Sequence, residues 1–157
     1  MIKINVVAVG KVKEKYFLEG INEYAKRLGR YCDFSIIEIP EENYKKTDCS
    51  LIENIKKIEG EKILKAVKGY VIATDIQGEK LTSPKLKDLI ENLSVSGNGT
   101  ITFVIGGSYG LSDEVKSRAD KKISFSDMTF PHTLFRLMLT EQIYRAFCIL
   151  EGNPYHK

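Results

Sequence analysis

The chain has 157 residues, 43% of them apolar and 29% charged, and its 24 basic and 21 acidic side chains give a net charge of +3. This length predicts one domain spanning 1–157, with an ordinary soluble composition and room for a proper core. No apolar run approaches the ~20 residues a membrane-spanning helix needs, and the charge is too mild to establish nucleic-acid binding by itself.

The opening "IKINVVAV" (2–9) is β-branched and apolar, which predicts a buried first strand. The basic residues Lys11, Lys13 and Lys15 follow this run instead of preceding it, so the start reads as a strand and not as a signal peptide. "KEKYFLEGINEYAKRLGRY" then repeats apolar residues at helical spacing, with Gly29 as its stop. "FSIIEI" (34–39) is a second strand closed by Pro40, and "EENYKKTDCS" is a polar loop. "SLIENIKKIEGEKILKAV" is a helix despite Gly60, because 51, 52, 55, 58, 63, 64 and 67 are apolar.

"YVIATDI" (70–76) is a third strand, and "QGEKLTS" turns into a helix capped by Ser83 with Pro84 at its first position. After "GNGT" comes the fourth strand, "ITFVIGG" (101–107), then a short helix "LSDEVKSRA" capped by Ser112, then a fifth strand "KKISFS" (121–126). The last helix runs from about Pro131 to Leu150. Alternating strands and helices, with strands apolar on both faces, predict an α/β fold: a mostly parallel sheet flanked by helices on both faces. Ligands in such sheets sit beyond the C-terminal ends of the strands. The loops "TDIQG", "IGGSYGL" and "SFSDMTFPHTLFR" should therefore converge on one crevice.

The last helix carries apolar residues nearly all round, including Leu134, Leu137, Met138, Ile143 and Phe147. No strand follows to cover its outer face. This predicts a homodimer that buries residues 134 to 150 between subunits, against the alternative of a helix central to its own domain. Cys32, Cys49 and Cys148 are odd in number and form no C-x-x-C, which fits reduced thiols in a cytoplasmic protein. With only His132 and His156, no metal site is expected.

"GGSYG" (106–110) lets a backbone approach a ligand closely, but it matches neither G-x-G-x-x-G nor a P-loop, and a structural turn explains it equally well. Glu141 and Arg145 stand one helical turn apart in the favourable order, on a helix with few other polar positions. The ending "NPYHK" brings Tyr155, His156 and Lys157, able to stack, exchange protons and bind phosphate, where a frayed end is the plain reading. Lys26, Arg27 and Arg30 form a further basic cluster, solvated or phosphate-binding.

Taken together, "INVVAVGKVKEKY", "EYAKRLGRY", "FVIGGSYGLS", "SFSDMTFPHTLFRLMLTEQIYRAF" and "NPYHK" resemble the small SPOUT-class methyltransferases of the RlmH type, over the whole chain. The resemblance implies a C-terminal trefoil knot, a rare exception to the rules of chain connection. It implies S-adenosyl-L-methionine as cofactor, held by Thr74, Gly106 and the segment Phe125, Ser126, Asp127, Met128, Thr129 and Phe130. Many members of the family have Leu where this chain has Thr74, which leaves a backbone contact intact.

The implied reaction is methylation of N3 of a pseudouridine in the large-subunit (23S) rRNA of the assembled ribosome. The catalytic candidates are His156, Tyr155, Arg145 and Glu141: His156 as proton acceptor, Tyr155 stacking on the target base, and Arg145 on phosphate with Arg136 and Lys157. Two other readings use the same residues. One is a nucleotide- or dinucleotide-binding enzyme; the other is a non-catalytic ribosome-binding module.

Overall fold

The computed structural model describes residues 1–42 and 48–157. Half of the polar loop expected after the second strand, residues 43–47, therefore lies outside the described residues. Five strands, β1 (Lys3–Val9), β2 (Asp33–Ile39), β3 (Tyr70–Lys80), β4 (Thr100–Ile105) and β5 (Lys121–Ser124), form one sheet in the order β2-β1-β4-β3-β5. All four pairings are parallel. Helices α1 (Lys15–Leu28), α2 (Cys49–Ala66), α3 (Ser83–Val95), α4 (Asp113–Arg118) and α5 (His132–Leu150) alternate with the strands.

The two-residue period of the strands sorts the core into two layers. Ile4, Val6, Ala8, Ile72, Ile101, Phe103 and Ile105 face one side and pack with α1, α3 and α5. Val7, Val9, Val71, Ala73 and Val104 face the other side and pack with Ile63 of α2 and Val115 of α4.

Local chemistry sets the helix starts. The Asp48 side chain accepts from Leu51 N at 2.9 Å, and that of Ser112 from Val115 N at 3.3 Å. The cap of α3 is Thr82, accepting from Lys85 N at 3.3 Å, one residue before the Ser83 expected. Both residue types can cap, and here Ser83 donates instead to Gln142 Oε1 at 2.6 Å, fastening α3 to α5.

Helix α5 lies on the sheet between α1 and α3, so much of its apolar surface is spent within its own chain. Phe147 is 5% exposed and its ring stacks on Tyr31 at 5.8 Å. The expectation that Phe147 is buried between subunits is therefore corrected. The contact with α1 is close because Gly20 faces α5: a Cβ there would stand 2.9 Å from Leu137 Cδ1. Leu134, Met138 and Ile149 remain half-buried along the outer strip.

Strand β3 is longer than expected, and interrupted. Thr74 and Glu79 both pair with Ile123, so the ladder shifts register and residues 75 to 78 are left out of it. Gly78 permits this, since a Cβ there would meet the Ile123 backbone at 2.7 Å. Strand β5 ends at Ser124, two residues early. Ser124 Oγ donates to Ser126 O at 3.0 Å and Met128 N to Ser126 Oγ at 3.1 Å, drawing the backbone out of the ladder.

Candidate active site

The three loops expected to converge do so. A cleft of about 200 Å³ opens at the C-terminal ends of β3, β4 and β5. Thr74 and Ile76 line it from β3, Ile105, Gly106 and Gly107 from β4 and its loop, and Phe125, Ser126, Met128, Thr129 and Phe130 from the segment after β5. His132 and Phe135 close it from the first turn of α5. The bulged strand and the early end of β5 place these backbones around one space.

Gly106 leaves no room for a side chain: a Cβ would lie 2.9 Å from Gly110 C and 3.0 Å from Leu111 Cδ2. The turn is closed by Gly110 N donating to Gly107 O at 3.1 Å, and Gly110 itself holds φ +84°, which favours glycine. The aromatic wall is continuous, with Phe125 and Phe135 centroids 4.7 Å apart and Phe130 and Phe135 6.5 Å apart.

Two of the sequence-predicted binding residues differ in role from their neighbours. Thr74 Oγ1 donates to Val104 O at 2.7 Å, so its side chain is engaged within the sheet and only its backbone is free for a ligand. Asp127 does not line the cleft; its side chain is 80% exposed and pairs with Lys80.

The four catalytic candidates form a second cluster, on α5 and the tail. Glu141 Oε1 accepts from Tyr155 Oη at 2.9 Å and from Arg145 Nη2 at 2.5 Å. Arg145 Nη1 donates to His156 Nδ1 at 3.1 Å, and its guanidinium sits 4.9 Å from the Tyr155 ring centroid. Tyr24 donates to the Tyr155 hydroxyl at 3.2 Å, and Tyr144 meets the Tyr155 ring edge-on at 4.9 Å.

Burial, then these hydrogen bonds, push the Tyr155 phenol well above its ordinary range, so it stays a donor. The carboxylate of Glu141 raises Arg145 further above its already high value. Because a guanidinium has no lone pair to offer, His156 Nδ1 is the acceptor and the free Nε2 carries the ring proton. The tail is thus fastened to α5 and is not a frayed end.

None of these four residues lines the cleft of its own chain. Glu141 lies nine residues along α5 from His132, roughly 13 Å at 1.5 Å per residue. A groove lined by Gly20, Tyr24, Phe125, Met138, Glu141 and Gln142 runs between the cluster and the back of Phe125. The thiol of Cys32 is pushed up to about 12, first by burial, which leaves it without nucleophilic character. His132 was given no role from the sequence. The signal was there in a Pro-His pair opening a helix within a stretch expected to wall the crevice.

A doubly covered parallel sheet with an apolar, glycine-floored cleft at the carboxyl ends of its strands defines a ligand-binding α/β enzyme fold. The family described as "Predicted SPOUT methyltransferase" matches residues 2–156, and the chain belongs to that family. A protein of Clostridium botulinum (strain Kyoto / Type A2) named "Ribosomal RNA large subunit methyltransferase H" is 54% identical over 159 residues, covering 99% of this chain and 100% of the relative. A Clostridium perfringens (strain SM101 / Type A) protein named "Ribosomal RNA large subunit methyltransferase H 1" is 54% identical over 162 residues, with the same coverage.

Solved structures share the fold at low identity. A probable methyltransferase from Bordetella pertussis Tohama I superposes with a TM-score of 0.57 at 11% identity, covering 92% of this chain and 96% of that one. A tRNA methyltransferase from Aquifex aeolicus does so with a TM-score of 0.52 at 16% identity, covering 99% of this chain and 73% of that one.

Proposed function

We propose that this methyltransferase uses S-adenosyl-L-methionine to methylate N3 of a pseudouridine in the 23S rRNA of the assembled ribosome. The observation that carries the reading is the convergence of three loops on one cleft whose floor, Gly106, has no space for a side chain. Two relatives named for large-subunit ribosomal RNA methylation, matched end to end, supply the substrate class.

The cleft fits the cofactor on its own chemistry. The aromatic wall of Phe125, Phe130 and Phe135 suits a purine, the backbone of 125 to 130 offers its edge hydrogen bonds, and the buried Nδ1 of His132 is unpartnered among the described residues. When bound, the cofactor supplies an activated methyl group, so the chain mainly contributes alignment, which in general is worth roughly 7–11 kcal/mol.

Glu141 orients Arg145 and Tyr155, and Arg145 fixes His156. In this arrangement His156 Nε2–H donates toward the target base. Once Arg145 turns to an RNA phosphate, Nδ1 is released and becomes the proton acceptor that N3 requires. Tyr155 braces this pair, its ring already covered by Arg145 and Tyr144.

Since the cluster and the cleft stand apart in one chain, a homodimer packed along the outer strip of α5 brings the tail of one subunit toward the cleft of the other. The trefoil knot belongs to the same reading, as do a single domain over 1–157 and a cytoplasmic location. The test is methylation of ribosomes that lack the modification, read by mass spectrometry of the RNA.

A further inference from the structure

The polar side chains of the cleft are mostly engaged. Thr74 is bonded to Val104, Ser124 to the Ser126 carbonyl and Ser126 to the Met128 amide. Asp75 pairs with Lys116 at 3.5 Å. Among the described residues no Lys or Arg lines the cleft, and His132 is the one lining side chain that bears a nitrogen. Its Nδ1 is closed off from solvent and has no hydrogen-bond partner among the described residues. Buried polar atoms are nearly always bonded, so an orphan on a cleft wall marks the place where a ligand atom belongs.

The position of His132 is firmly set. The ring packs over Gly10, where a Cβ would stand 3.5 Å from Cε1 and φ is +88°. One turn further along α5, Arg136 donates to Glu38 Oε2 at 2.6 Å and to Gly10 O at 3.0 Å, anchoring the helix start to the end of β1. The nearby acid Glu41 is engaged by Ser108, Oγ to Oε1 at 3.1 Å. Rotation about Cβ–Cγ of a histidine is broad and two-fold, so an acceptor entering the cleft can turn the ring to meet it.

We propose that His132 binds the carboxylate end of the methyl donor, donating through Nδ1–H; this rests on the cleft being the methyl-donor site. The adenosine end has the aromatic wall and the 125 to 130 backbone. The carboxylate needs donors, and among the described residues His132 is the one lining side chain able to offer an N–H, the rest of the polar lining being hydroxyls and the acid Asp75. The first turn of α5 has no side-chain cap, which leaves its first amides without a side-chain acceptor.

The experiment is calorimetry with S-adenosylmethionine and with its decarboxylated form, which keeps the amine and lacks the carboxylate. Wild type should prefer the carboxylate form by roughly 10- to 100-fold, the range of a hydrogen bond to a charged group. His132→Ala should erase that preference and leave the decarboxylated form bound about as before. His132→Asn, with an amide nitrogen in the place of Nδ1, should keep part of the preference, and His132→Gln should not.

Full preference surviving in the Ala variant, or equal weakening of both ligands, overturns the assignment while leaving the cleft reading in place. Wild type binding neither ligand overturns both. Should the Ala variant fold poorly, the Asn and Gln pair decides: equal preference in the two contradicts a contact through Nδ1.

Discussion

Tyr155 and Glu141 are joined across fourteen residues by a hydrogen bond of 2.9 Å, and the same carboxylate oxygen takes Arg145 at 2.5 Å. One acceptor therefore holds both the tail and the arginine that holds His156. Tyr155→Phe keeps the ring and removes the hydroxyl. It should cost about 1 kcal/mol of stability, the ordinary worth of such bonds, seen as a lower urea midpoint at unchanged slope. Single-turnover methylation should slow by roughly 10-fold or more, because proton-transfer groups typically contribute ~10²–10⁴-fold when placed correctly. Deleting 155 to 157 should abolish methyl transfer while cofactor binding persists, since none of these residues lines the cleft. Wild-type rates in the truncated enzyme would leave the cluster without a catalytic part.

Gly106→Val puts a branched side chain where even a Cβ sits 2.9 Å from the Gly110 backbone. The loop must move out of register with β3 and the 125 to 130 segment. Calorimetry should show S-adenosylmethionine binding weakened by at least about 10-fold, or ~1.4 kcal/mol, in a variant with wild-type circular dichroism. Unchanged affinity would remove Gly106 from the binding floor.

The outer strip of α5 and its inner face should respond differently to charge. Met138→Asp places a carboxylate on a half-buried position that lines two open grooves, and should yield a folded monomer by light scattering. Phe147→Asp buries an unpaired charge against Tyr31 and the core, and should unfold the chain outright. A monomeric wild type at micromolar concentration would contradict the dimer.

Glu59 is 3% exposed; Glu42 N donates to its Oε2 at 3.1 Å, and among the described residues its Oε1 has no partner. Burial raises its carboxyl above the ordinary range. Between the unfolded and the raised folded value, the folded chain keeps a proton that the unfolded chain has released. Its contribution to stability therefore falls as pH rises through that window. Glu59→Gln should stabilise the chain by about 1 kcal/mol at neutral pH, with the gain fading as pH falls through that window and gone below the ordinary carboxylate range. Denaturant titrations at two pH values check this; a gain that grows on acidification would contradict it.

The sheet, its helices and the converging loops were legible because β-branched runs and helical periods are local signals. The interruption of β3 was not, since what makes Gly78 necessary is the Ile123 backbone, far along the chain. The dimer was inferred from an α5 that is apolar nearly all round. Sequence could not show that α1 and α3 flank it, nor that Gly20 lets α1 come close. The Glu141–Arg145 pair followed from helical spacing, but Tyr155 completing it required the tail to fold back. His132 went unassigned because a lone histidine at a helix start carries little weight until its cleft is seen to hold, among the described residues, no other side-chain nitrogen.

The central claim is tested most directly by incubating the protein and S-adenosylmethionine with ribosomes lacking the modification, then mapping the 23S rRNA by mass spectrometry. The expected result is one added methyl group on a pseudouridine, reduced with Gly106→Val at limiting S-adenosylmethionine and absent with the tail removed. No methyl transfer to ribosomes, or transfer to a different class of nucleotide with equal efficiency, would contradict it.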